Sequence, residues 1–142
     1  MTEPAPAFVD WTAFRQARLE LGADFVRILG YFREDGVKSV AAIEEAMRGR
    51  NATALVRPAH TLKGEARQFG AEPLADLAEE IEVVSRRCVE LKTSPDELIP
   101  QVVKLRPLFE RTLELFEREI NPLVERRPAF GRRPQSFGRA VG

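Results

Sequence analysis

A chain of 142 residues with 44% hydrophobic content has the material for one domain with a modest core. Its 22 basic and 22 acidic residues cancel and its pI is about 6.6, which argues against a whole-domain nucleic-acid binder. One cysteine, Cys88, and one histidine, His60, leave no intramolecular disulfide and no Cys/His cluster for a metal.

No run approaches the roughly 20 apolar residues that a membrane span needs. Met1 to Asp10 carries an acid and two prolines where a secretory signal would carry positive charge and an apolar run, so a cytoplasmic protein is expected. Residues 1–9 read as a loose lead, after which Asp10 or Thr12 caps a short first helix through about Leu21. From Asp24 the positions Phe25, Ile28, Leu29, Phe32, Val40, Ile43 and Met47 keep helical spacing to about Arg48, with Gly36 expected to loosen the middle.

A third helix begins at the capping residue Asn51 and ends about Phe69, with Gly70 as its stop. Pro58 removes the bond to the Ala54 carbonyl, so a kink or a loosened turn is expected just before His60. Pro73 suits the first turn of a fourth helix, striped by Leu74, Leu77, Ile81, Val84, Cys88 and Leu91 to about Lys92. The run Ser94, Pro95, Asp96, Glu97 has the form of a capping box opening a last helix. Its apolar stripe is Leu98, Val102, Leu105, Phe109, Leu113, Phe116 and Ile120, and Pro107 is expected to bend or split it near Val103.

Short connections favour antiparallel neighbours, so residues 10–120 are expected to form an all-α, antiparallel up-down four-helix bundle with a short extra N-terminal helix. Residues 121–142 are rich in Arg, Pro and Gly and read as a basic, disordered tail in which Phe130-Gly131-Arg132 recurs as Phe137-Gly138-Arg139.

The chemistry concentrates between Ala59 and Gly70. On a helix of about 100° per residue, Lys63, Gly64 and Arg67 share the face of His60, while Leu55, Ala59, Leu62, Ala66 and Phe69 line the opposite side. The imidazole is therefore turned away from the core. Glycine inside a helix costs about 1 kcal/mol relative to alanine, so Gly64 reads as clearance for an approaching backbone. Lys63 brings a mobile ammonium within reach of a group carried on the ring, and neutral imidazole has a free nitrogen for attack on phosphorus.

The run His60-Thr61-Leu62-Lys63-Gly64, followed by Glu65-Ala66-Arg67-Gln68-Phe69-Gly70, resembles the signature of histidine-containing phosphotransfer (HPt) domains. The resemblance extends in layout over roughly Val9 to Ile120, although only the dozen residues from Ala59 to Gly70 are specific. It implies that His60 is the phosphoacceptor, Lys63 the charge partner and Gly64 the clearance position. Glu65 and Arg67 depart from the small residues usual at their positions. Arg67 is read three ways, as a phosphate contact, as a selector of a receiver with a matching acidic patch, or as a solvated side chain, and it joins Val56 and Arg57 as a candidate for receiver docking.

Of the acidic run Glu79, Glu80 and Glu82, at least two are expected to be solvent-facing. The resemblance to chemotaxis-kinase phosphotransfer domains makes Glu82 the candidate hydrogen-bond partner of the imidazole.

The function implied is a histidine phosphocarrier relaying a phosphoryl group between receiver-domain aspartates, with response-regulator receivers and a hybrid histidine kinase as partners, and neither nucleic acid nor membrane. Nothing in the chain resembles a P-loop or a kinase glycine loop, so a protein donor is expected rather than a kinase activity of its own. No cofactor or metal is expected on this chain, Mg²⁺ being the receiver's contribution. The alternative is a helical adaptor without phosphorylation, using the His60 face as a contact surface; an enzyme using His60, Lys63 and a glutamate ranks third.

Overall fold

The Asp10 carboxylate accepts from the Ala13 N–H at 3.1 Å, so Asp10 rather than Thr12 starts the first helix. The computed structural model describes residues 7–121, and the expected tail, together with residues 1–6, lies outside them apart from Asn121. Helix α1 spans Trp11–Leu21, α2 Phe25–Arg48, α3 Ala52–Gln68, α4 Glu72–Leu91 and α5 Ile99–Ile120, with 3-10 turns at Gly22–Asp24 and Asp96–Leu98. No strand occurs among the described residues.

The chain divides into two units, Met1–Thr112 and Leu113–Gly142. In the first, cross-helix pairs define an antiparallel up-down bundle. His60 of α3 meets Glu82 of α4 while Arg67 meets Asp76, so the two helices run in opposite senses. Arg87 and Glu80 of α4 meet Glu97 in the 3-10 turn before α5 and Gln101 in the first turn of α5. Arg106 of α5 closes the ring with a two-pronged bond to Glu44 of α2 at 3.0 and 2.8 Å. In the second unit, Phe116 is buried and Arg118 pairs with Glu114 at 3.7 Å.

Leu55, Ala59, Leu62, Ala66 and Phe69 are all buried, which puts the opposite face of α3 at the surface. Phe69 stacks edge-on against Phe25 and lies tilted against Phe32, tying the end of α3 to the start of α2. The last glycine of the sequence signature is part of this scaffold. Gly70 has φ +79°, its carbonyl accepts from Asp10 N–H at 2.8 Å, and an added Cβ would lie 2.6 Å from the Asp10 carbonyl oxygen. It docks α1 on the end of α3.

Four local expectations are corrected by the packing. Helix α2 runs unbroken through Gly36, whose buried backbone lies against the Phe109 ring, so this glycine makes room for α5 rather than loosening α2. Helix α5 continues through Pro107 and is not split, and α3 holds Pro58 within its length. Ser94 does not form a capping box: its hydroxyl donates to Asp96 at 2.8 Å, and Glu97 pairs instead with Arg87 at 3.0 Å. The buried face of α4 is turned from the expected stripe, because Leu91 is exposed while Ala75, Ala78, Glu82 and Ser85 are buried. Small residues at that face let α3 come close enough for a carboxylate of α4 to reach its side chains.

Candidate functional site

Between α3 and α4 the buried carboxylate of Glu82, 5% exposed, collects three donors. Its Oε2 stands 2.9 Å from His60 Nδ1 and accepts from Arg86 Nε and Nη2 at 3.1 and 2.8 Å. Its Oε1 lies 2.7 Å from Lys63 Nζ. Burial pushes the Glu82 acid up, but the bonds from Lys63, Arg86 and His60 outweigh it and hold the pKa at about 2, so the group is an anion at neutral pH.

An ionised carboxylate only accepts, so neutral imidazole facing it carries its proton on Nδ1 and leaves the Nε2 lone pair free. The His60 side chain is 60% exposed. Its ring is thus held at one nitrogen and open at the other.

Lys63 corrects the sequence picture of a mobile surface ammonium, since it is 21% exposed and anchored to Glu82. Gly64 is exposed, and a Cβ added there would meet nothing within 4 Å. Packing among the described residues therefore gives no reason for its missing side chain. Of the acidic run, Glu80 is exposed and takes a bond from Gln101, Glu79 is half-buried, and Glu82 is the one turned inward.

Arg67 is not simply solvated. Its guanidinium lies 2.6 Å from Glu79, 3.4 Å from Asp76 and 3.9 Å from Glu72, all on α4. The bond from Arg67 in turn holds the Glu79 acid below its ordinary value. Glu65, the other departure from the signature, faces α2, where burial first and Asp35 second push its acid up to about 7.

Val56 and Arg57 do share the surface of His60, lining with Val83, Arg86 and Arg87 an open groove of about 1020 Å³. Arg86 and Val83 escaped the sequence reading. The legible signal for Arg86 was its place four residues after Glu82, where an i, i+4 pair meets on a helix.

Among the described residues no group of three His, Cys, Asp or Glu side chains is placed to hold a metal. An outward imidazole on an open helical face suits a protein that passes a group to another protein, rather than one that encloses a substrate. That is the class of the histidine phosphocarriers.

The chain matches the model of the Hpt domain over residues 27–120 and belongs to that family. Its role is accordingly histidine phosphotransfer in two-component signalling, alongside receiver domains and kinases, and the family match covers the phosphotransfer domain with no kinase domain. In fold it is similar to the crystal structure of histidine-containing phosphotransfer protein B (HptB) from Pseudomonas aeruginosa PAO1, with TM-score 0.69 and 24% sequence identity over 82% of this chain and 96% of that one. No curated protein matches the sequence. No helix among the described residues is long and apolar enough to cross a membrane.

Proposed function

We propose that His60 is the phosphoacceptor and that the chain relays a phosphoryl group between the aspartate of one receiver domain, such as that of a hybrid histidine kinase, and the aspartate of a response regulator. In the accepting step His60 Nε2 attacks the phosphorus of an aspartyl phosphate. The P–O bond breaks as the P–N bond forms, and the aspartate leaves as a carboxylate with the bonding electron pair. The onward step is the reverse, with a second aspartate as nucleophile. The receiver would bring the Mg²⁺ that its own acyl phosphate requires.

The observation that carries this reading is the pairing of an exposed imidazole with a buried anion, His60 Nδ1 to Glu82 at 2.9 Å, which leaves Nε2 outward and nucleophilic. Glu82 also keeps the Nδ1 proton in place as positive charge develops on the ring. Lys63 and Arg86 spend only some of their N–H groups on Glu82, and those that remain offset the charge of a bound phosphoryl group. Gly64 leaves the approach to the ring open. Transfer then depends on positioning and electrostatics, which an open helical face supplies.

Incubation with a receiver domain charged by acetyl phosphate tests this. The expected product is an acid-labile, base-stable phosphate on the wild type and none on His60→Gln. Equal, negligible labelling of both favours the helical adaptor instead.

A further inference from the structure

The face around His60 is electrically two-sided. At one end, in and beside the groove between α3 and α4, four cations, Arg57, Lys63, Arg86 and Arg87, meet three acids, Glu82, Glu90 and Glu97, of which Glu82 holds Lys63 and Arg86 and Glu97 holds Arg87. Arg57 is exposed and makes no ion pair with any described residue. At the other end one guanidinium, Arg67, is outnumbered by Glu72, Asp76 and Glu79. Between them the groove offers an apolar wall, where Val83 and Val89 are 53% and 42% exposed.

Arg57 and Arg67 are ten residues apart on α3, about 15 Å along the axis, whereas the Debye length is about 8 Å in physiological salt. The two ends therefore act on a partner as separate patches of opposite sign. Because the whole chain has a net charge of zero, attraction at encounter has to come from such local patches.

We propose that this dipole orients the docking partner: a receiver domain that exchanges phosphate with His60 presents acidic side chains to the Arg57 end, an apolar contact to Val56 and Val83, and basic side chains to the Glu72 and Asp76 end. This rests on the reading of His60 as phosphoacceptor. A nucleic acid does not fit the same surface, since its uniformly negative backbone would meet the acidic end. A folded protein with both signs of charge does, and it can dock on His60 in one orientation only.

The test uses the full chain and the complete set of receiver domains of the source organism, each charged with acetyl phosphate and Mg²⁺. For receivers that phosphorylate the wild type, Arg57→Glu is expected to raise KM about tenfold with the loss confined to KM, and Asp76→Lys to raise it severalfold. Raising salt from about 50 to 300 mM should slow the wild type more than Arg57→Glu. Circular dichroism checks that each variant is folded.

Phosphoramidate, a small donor that needs no docking, is applied to wild type and His60→Gln in parallel. Labelling of His60 by phosphoramidate together with variant KM values within about twofold of wild type overturns the docking proposal alone. Failure of phosphoramidate and of every receiver to label the wild type overturns the phosphoacceptor reading and the docking proposal with it.

Discussion

Replacing Glu82 by glutamine should remove a specific, pH-dependent share of the stability of the bundle. The acid titrates at about 2 in the folded protein against an ordinary value of 4.5. A gap of about two and a half pH units at about 1.4 kcal/mol per unit gives about 3.5 kcal/mol.

The sign follows from which state binds the proton. Between pH 4.5 and 2 the unfolded chain takes it up while the folded chain still holds the anion against Lys63, Arg86 and His60, so acid favours unfolding. This stabilisation is complete above about pH 4.5 and is lost as pH falls through about 2. Urea unfolding of wild type and Glu82→Gln at a series of pH values isolates it, because other depressed acids such as Glu44 titrate in both proteins. The wild type should be more stable by about 3.5 kcal/mol at pH 7, with the difference shrinking steadily below pH 4.5. A difference that stays constant from pH 7 to pH 3 would refute the claim that Glu82 is an anion held by three donors.

Glu65 should show the opposite slope. Folded, it keeps its proton to about pH 7, so its contribution is present below 4.5 and lost as pH rises through 7; thermal melts should find Glu65→Gln more stable than wild type at pH 8 and indistinguishable from it at pH 4. Gly36→Ala puts a methyl group into the Phe109 ring and should destabilise the protein by about 1–3 kcal/mol in urea unfolding, the cost of overpacking a core, despite the higher helix propensity of alanine. Gly64→Leu meets open space within the chain, so its melting temperature should hold or rise slightly while transfer from a charged receiver falls at least about tenfold; undiminished transfer would refute the clearance argument.

Much of this protein could be read before its coordinates. The bounds of α2 and α3 follow from apolar spacing and from caps that act locally, such as Asn51 accepting from Ala54 N–H at 3.1 Å. The outward turn of His60 follows from the five buried positions on the other side of its helix. Less legible was whatever depends on how two helices meet. Lys63 looked like a free surface cation because its anchor lies 19 positions away in sequence on α4. The ion pairs of Arg67 were not legible because its three acids belong to that same neighbouring helix. Gly36 looked like a weak point because the ring that needs its space, Phe109, is on α5.

By itself, then, the sequence determined the helices, the side of α3 that faces water, and the residue types clustered around the lone histidine. These are properties of one helix, set by a repeat of about 3.6 residues and by hydrogen bonds within a turn. Only the tertiary structure decided that Glu82 is buried where Lys63, Arg86 and the imidazole converge, and that the face around His60 is basic at one end and acidic at the other. Both depend on the axial offset and rotation of α4 against α3, which are fixed when small side chains such as Ala75 and Ala78 pack to full density, and one helix cannot encode the register of another.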